Sequence, residues 1–521
     1  MSVTRPWRLT CVAALSALLL SACSGGSSDS DRDSPASSEN KVTDLVVDVL
    51  NAPDSLDPLY RDTPEAEQVY RLTHSALLRW KEDKSLTTDL ASEMPVVSED
   101  GLEYTISLRE GVTFHDGSPL TAEDVKFTYE QAANADNGSV WLSSLALVEE
   151  IAAPDEQTVK LTLSQPYAYL DSRLAMIPIL SADQGYEANK TWATESNGSG
   201  PFKVASVKRG ERIDLTRNDS YYGEKPDFAS ISLNVVPETA ARIARLVNGE
   251  SHIVPDLPAD QIDLVKKRGQ NAETIEGNIS RLFAWPSQLE GRPTTNVDFR
   301  LALAWAIDRQ AIVDQVFQGA GRPNSTYLTY GTQFHDEKLG LTFGEDADLA
   351  KAKQHLADSG IKLDRKLNII AFNQPAIVQS ATIIQANLAE LGIEATVDAE
   401  EIAGFFPKMV SGEYDLILYN SPASISTGFA PDYVNGGLNS TSSSNFNGFS
   451  DAELDKLLNT AMTATSTEDQ EAAWRAVQER DVAIQGNIQI AVSQVSQAWS
   501  KDLGDYKPSN LAWFNTLLPG A

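Results

Sequence analysis

Residues 367–420 alternate strand-length apolar runs with amphipathic helices, and that order leaves few folds open. Leu367 through Asn373 reads LNIIAFN, the run of a buried strand. Ile377, Ala381, Ile384, Leu388 and Leu391 follow at spacings of 4, 3, 4 and 3, which places them on one face of a helix. IEATVDA (393–399) returns as a strand, and a short helix leads to a third, EYDLILYN (413–420). A β-α-β-α-β order predicts an open, doubly wound α/β sheet with helices packed on it.

The rest of the chain is mixed α+β. Residues 102–109 alternate apolar and polar, as do Val159, Leu161 and Leu163, the mark of strands with one buried face. Between them, Thr121 with Asp124 predicts a helix start, and Val125, Tyr129 and Ala132 its buried face. SISLNVV (230–236) reads as a strand and PETAARIARLVNGE (237–250) as a helix. NVDFRLALAWAIDRQAIVDQVF (296–317) reads as one helix, with Leu301, Trp305, Ile312 and Val316 on its face. Ser450 with Glu453 is expected to cap a helix carrying Leu454, Leu457, Leu458 and Ala461.

The front end has the parts of a secretory signal. Arg5 and Arg8 precede an apolar run from Cys11 to Leu20, and small residues follow. That run is half the roughly 20 residues a spanning helix needs. Leu20-Ser21-Ala22-Cys23 resembles a bacterial lipobox, which implies removal of residues 1–22 and a diacylglycerol on the Cys23 thiol. Residues 24–40 are mostly Ser, Gly, Asp and Pro, a composition that cannot offset its ordering entropy and reads as a tether. The expected location is extracytoplasmic, at a membrane held by lipid alone.

The only cysteines are Cys11 and Cys23, so the body is expected to hold no disulfide and no cysteine nucleophile or zinc ligand. With 73 acidic against 42 basic residues, the net charge of −31 argues against nucleic acid as a partner. There is no G-x-S-x-G, H-E-x-x-H or P-loop. His74, His115, His252, His335 and His355 are too scattered to suggest a local metal pair. Nothing here argues for catalysis, a metal or a cofactor.

Several blocks, in order, resemble one family. EYTISLREGVTFHDGSPLTAEDVKFTYE (103–130) is similar to the signature block of the family 5 extracellular solute-binding proteins of ATP-driven importers. GSGPFKVASVKRGERIDLTRNDSYYG (198–223), FRLALAWAIDRQAIVDQVFQGAGRP (299–323) and NGFSDAELDKLLNTA (447–461) resemble its later blocks. The resemblance covers about residues 45–500. It implies a two-lobed periplasmic-binding-protein-like α/β fold of type II, cluster C, with an extra α+β subdomain in lobe I. Lobe I would be 41–60, 181–284 and 489–521, with 61–180 as the insert, and lobe II 285–488. Hinge strands are expected near 278–285 and 487–495. Arg300 and Asp308 are expected on one helix as scaffold ions.

The implied function is a monomeric binding protein that closes on a solute and delivers it to permease subunits. The cargo expected is an oligopeptide or dipeptide, with an opine, metal chelate or oligosaccharide as the alternative. A secreted hydrolase, or an anchored sensor or chaperone on the same fold, are the rivals. Ligands of open α/β sheets bind beyond the carboxyl ends of strands, which here are Asn373 and Tyr419-Asn420-Ser421. Trp285 ends the first hinge strand, and Trp141 resembles a position where relatives carry a pocket aromatic. Peptide-binding relatives carry an aspartate just after the third strand to pair with the peptide amine. Here Asn420 is neutral, and no acid follows until Asp432.

Overall fold

The computed structural model describes residues 42–521, apart from 61–62, 189, 191, 193–195, 423–429, 443–444, 510–511 and 518–521. Its first strands in chain order are β1 (Asp44–Val49), β2 (Leu78–Trp80), β3 (Leu86–Thr88), β4 (Val96–Val97), β5 (Glu103–Ser107), β6 (Val148–Asp155) and β7 (Thr158–Leu163). Next come β8 (Phe202–Lys208), β9 (Arg212–Arg217), β10 (Ser230–Val235), β11 (Ile253–Leu257) and β12 (Asn271–Pro286). The last are β13 (Gly321–Pro323), β14 (Leu367–Phe372), β15 (Ala395–Glu400), β16 (Leu416–Pro422) and β17 (Ile488–Trp499). Eleven of them form one sheet in the order β15-β14-β16-β12-β17-β11-β1-β10-β9-β8, with β13 added beside β17.

The β-α-β-α-β segment forms as its pattern predicts. β14 lies between β15 and β16 and runs parallel to both, with helices Pro375–Glu390 and Ile402–Ser411 as crossovers. Ile377, Ala381, Ile384 and Leu388 are buried against Leu367, Ile369 and Leu416 on one face of the sheet. On the opposite face Ile370 and Ile417 pack with Phe405 and Met409 of the second helix. Two buried faces explain why β14 is apolar throughout.

β12 and β17 pair antiparallel along most of their length, at the centre of the sheet. β12 also pairs β16, and β17 also pairs β11. At the β8 end, Leu45, Val47, Phe202, Leu215, Ile231 and Leu233 share a core with Trp499, Phe514 and Leu517, so the C-terminal residues pack beside the first strand.

Two expectations about helices are corrected. Residues 296–317 form two helices, Val297–Ala306 and Arg309–Gln315. Ile307 is extended between them, and the Asp308 carboxylate accepts from the N–H of Ala311 at 2.8 Å. The Arg309 guanidinium, fully buried, donates to the carbonyls of Ala304 at 2.9 Å and Gln489 at 3.0 Å, so the break leaves helix-end groups satisfied. Arg300 and Asp308 therefore stand on different helices. Both are scaffold groups, since Arg300 donates to the carbonyls of Thr294 and Ile484, each at 3.0 Å. In the first helix the buried face is Phe299, Ala302, Leu303 and Ala306, while Leu301 and Trp305, expected on that face, are half-buried. At Ala452–Thr463 the cap is Asp451 rather than Ser450: its carboxylate accepts from the Leu454 N–H at 2.8 Å and pairs with Arg480 at 2.7 Å. A charged acceptor at a helix N-terminus, itself held by an arginine, outcompetes a hydroxyl one residue earlier.

Between β1 and β8 the chain builds sheets of its own, β2-β3 and β4-β5-β7-β6. The helix Ala122–Ala133 starts on the expected Thr121–Asp124 capping box, and Gly117 takes the positive φ of +92° its turn requires. Tyr104, Ile106, Val125, Tyr129, Val159 and Leu161 fill its core. Among the described residues no helix is long and apolar enough to cross a membrane.

Candidate functional site

The carboxyl end of β16, the parallel strand next to β12, pairs with one stretch of β12. Phe283 lies opposite Tyr419, Leu282 opposite Asn420, Arg281 opposite Ser421 and Ser280 opposite Pro422. Paired side chains project from the same face, so Arg281, Phe283 and Trp285 line up with Tyr419 and Ile417.

An aromatic layer covers that face. Phe283 sits 5.3 Å from Trp285 and 5.9 Å from Tyr419, centroid to centroid. Phe372, Phe405 and Phe406 close around Tyr419 at 5.6–6.3 Å. Trp285 is 9% exposed and lies 6.2 Å from Phe446. Its indole N–H meets no acceptor among the described residues. Tyr419 is half-buried, and burial, then the nearby Tyr433, raises its hydroxyl pKa. The structure thus brings Trp285 and Tyr419 into one layer.

Polar groups stand at the strand ends. Asn420 donates from Nδ2 to the Ser280 hydroxyl at 3.4 Å. Asn373 is exposed, and its amide donates to Glu401 at 2.6 Å. Glu400, beside it, pairs with Lys408. These two glutamates put acid beside Asn373, at the end of β15, where the pattern AEEIAGF read only as strand running into helix.

The sequence reading missed a charged centre. Arg281 is 1% exposed, with its guanidinium carbon 4.2 Å from the ring centre of Tyr327 and 4.1 Å from that of Tyr433. It donates to the Tyr327 carbonyl at 3.2 Å and to the Tyr433 hydroxyl. Burial works against its charge, but the Tyr433 and Tyr327 hydroxyls offset this and hold its pKa above the ordinary value. Tyr327 reaches this place because Gly437, without a side chain, leaves room for its ring tip. Its N–H donates at 2.7 Å to Asp481, whose carboxyl is pushed up to about 7 by burial, against the pull of that N–H and of Arg281. The available signal was an arginine inside the otherwise apolar run LFAW and its neighbours.

Trp141 lies elsewhere. It is 3% exposed among the buried residues of the β1–β8 segment, and its N–H donates to the Pro58 carbonyl at 2.8 Å, tying the turn at 58–60 to them. The side chains of Ser421 and Asp432 lie outside the described residues, although their backbones belong to β16 and to helix Ala430–Leu438. Cys23 lies outside them as well. Among the described residues no group of three or more His, Cys, Asp or Glu is placed to hold a metal.

The family model for bacterial extracellular solute-binding proteins, family 5, matches residues 85–445. The chain belongs to that family. Its members are solute-binding transport proteins rather than enzymes. The oligopeptide-binding protein OppA of Bacillus subtilis is 26% identical over 88% of this chain and 89% of its own. The fold is that of the solved family 5 structures. The oligopeptide-binding protein AppA of Bacillus subtilis, in complex with a nonapeptide, superposes with a TM-score of 0.76 at 22% identity, covering 91% of this chain and 97% of that one. The binding protein AgaA of A. tumefaciens R10, in complex with agropinic acid, gives 0.76 at 24% identity over 91% and 96%.

Proposed function

We propose that this family 5 protein is the substrate-binding lipoprotein of an ABC importer, and that its cargo is a dipeptide or oligopeptide. The observation that carries the reading is the family match over residues 85–445, together with OppA as a relative along nearly the whole chain. The cargo would lie between lobe I (41–60, 181–284 and 489–521, with 61–180 inserted) and lobe II (285–488). Trp285, Tyr419, Asn420, Ser421 and Asn373 would face it from lobe II, and Trp141 would support the opposite wall. Asp432, or Glu401 beside Asn373, would meet a peptide amine, because a buried ammonium is costly unless paired. Cys23 would carry the lipid that holds the monomer outside the cytoplasm, near its permease.

Neutral Asn420 favours a second reading, a cargo without a free amine. AgaA, of the same fold, is seen with agropinic acid.

Thermal melts with dialanine, pentaalanine, an opine and a nickel–histidine chelate separate the two. A ligand of the native state raises Tm by mass action. Peptides alone are expected to do so. A rise with the opine or the chelate and none with either peptide overturns the peptide reading. Cys23→Ser is expected to abolish lipid on the protein by mass spectrometry, and a wild-type chain without lipid overturns the anchor.

A further inference from the structure

The segment between β1 and β8 touches the C-terminal helices at a place outside the strand ladder. Trp474, on helix Thr467–Ile484, is fully buried. Phe334 stacks on it, with ring centres 6.4 Å apart and planes at 16°. Gln478 fastens the Phe334 loop to the helix, donating to the Phe334 carbonyl at 2.8 Å and accepting from the Asp336 N–H at 3.0 Å. These groups make a socket.

Tyr169, just ahead of the short helix Leu170–Leu174, fills it. Its ring centre lies 6.5 Å from Phe334 and 6.4 Å from Trp474. The Trp474 indole N–H donates to the Tyr169 hydroxyl at 2.7 Å, and that hydroxyl donates to the Ala461 carbonyl at 3.3 Å. The Ala168 N–H donates to the Met462 carbonyl at 3.3 Å. Lys84, from the β2–β3 turn, reaches the Gly331 carbonyl on the same loop.

The two rings at this junction, although part of the buried cluster, carry polar groups that aliphatic core residues lack. Tyrosine and tryptophan each join a large apolar ring to one polar group that water can satisfy once the contact opens. No strand pairing crosses it among the described residues, because β2-β3 and β4-β5-β7-β6 are separate sheets. Tyr104, Ile106, Val125 and Leu161 belong to the same buried cluster as Tyr169 and Trp474, and the Tyr104 hydroxyl donates to the Tyr167 carbonyl at 3.2 Å, which anchors the segment on its own side of the junction. Parting the junction therefore breaks no strand ladder.

This step rests on the solute-binding reading, in which residues 285–488 swing on β12 and β17 to admit a solute. The Tyr169 junction links the same two parts, so that swing must part it. We infer that Tyr167–Tyr169 is a clasp, closing on the Phe334–Trp474 socket and setting the balance of open and closed forms without touching the cargo.

The test locks the clasp. In the full chain with Cys11 and Cys23 changed to serine, Ala168→Cys and Met462→Cys stand on residues joined by a main-chain hydrogen bond, within reach of a disulfide. Small-angle scattering is measured on protein stripped of solute by reversible unfolding. The oxidised form is expected to be more compact than the reduced form, and reductant should reverse the difference. Tyr169→Phe is expected to raise the open fraction about fivefold, the effect of one neutral hydrogen bond. Equal radii in the oxidised and reduced forms, with the disulfide verified by mass spectrometry, overturn the clasp. Because no cargo is added, that failure is separate from the solute-binding reading, which native mass spectrometry of co-purified solute scores alone.

Discussion

The chain joins its distant parts in two physically different ways. β12 and β17 meet through a backbone ladder, with paired residues from Asn271–Trp499 to Ala284–Ile488. Residues 167–169 and 461–474 meet through ring tips, two side-chain hydrogen bonds and one main-chain bond. A ladder buries polar groups that have no other partners, so it yields only with the fold. A contact between amphipathic side chains can part and be rehydrated. The difference suggests which connection carries the architecture and which is available to motion.

The most severe break should come from the ladder. Val492 is fully buried and pairs with Arg281 on β12 and Arg322 on β13. Val492→Pro removes a donor from a strand bonded on both sides and adds ring clashes, which a central strand does not tolerate. We expect no cooperative melt by circular dichroism. A native-like melting curve would show that the ladder here is dispensable.

A smaller loss should follow from the charged centre between the two connections. Arg281→Leu removes the cation that Tyr433, the Tyr327 carbonyl and the field of Asp481 share. Breaking a buried charge network by deleting one member costs about 3–5 kcal/mol. Urea denaturation reads this directly, and a loss under about 1 kcal/mol would mean that packing of the two rings, not the guanidinium, holds helix Ala430–Leu438 to β12.

The smallest of the three effects depends on pH. Asp481 titrates near 7 in the fold, above the ordinary carboxyl value of 3.8, because burial disfavours its charge. Its contribution to stability is complete below about pH 4 and is lost as pH rises through 7, since the unfolded chain sheds the proton first. Asp481→Asn can still accept from the Tyr327 N–H and has no charge to bury. The variant's Tm advantage should therefore be larger at pH 8 than at pH 4. An advantage that does not change with pH would mean that Asp481 is ionised throughout.

Much of the fold was legible locally. The stripe Ile377–Ala381–Ile384–Leu388 and the apolar run of β14 needed only helix and strand periodicity, because both faces of that sheet are buried. The capping box at Thr121 and the turn at Gly117 needed only short-range chemistry. Local reading failed where a distant group decided the outcome. Asp308 breaks one apparent helix into two because Arg309 reaches Gln489, 180 residues away, and fills the freed carbonyls. Asp451 displaces Ser450 as a cap because Arg480 holds it.

The candidate site divides the same way. That Asn373, Tyr419 and Asn420 stand at strand ends was readable because those ends are marked in the sequence. Trp285 and Tyr419 share a layer because β12 pairs β16 in one register, which the periodicity of neither strand specifies. Arg281 stood out only as a charge beside the apolar run LFAW, and its role was not local: its partners Tyr327, Tyr433 and Asp481 come from a loop and two helices elsewhere in the chain. Sequence alone determined the α/β class, the β-α-β-α-β order of residues 367–420 and the family, since these depend on repeating patterns and ordered blocks. Only the tertiary structure decided which buried charges face each other and where Tyr169 docks, because such contacts depend on the register and packing of segments up to 305 residues apart.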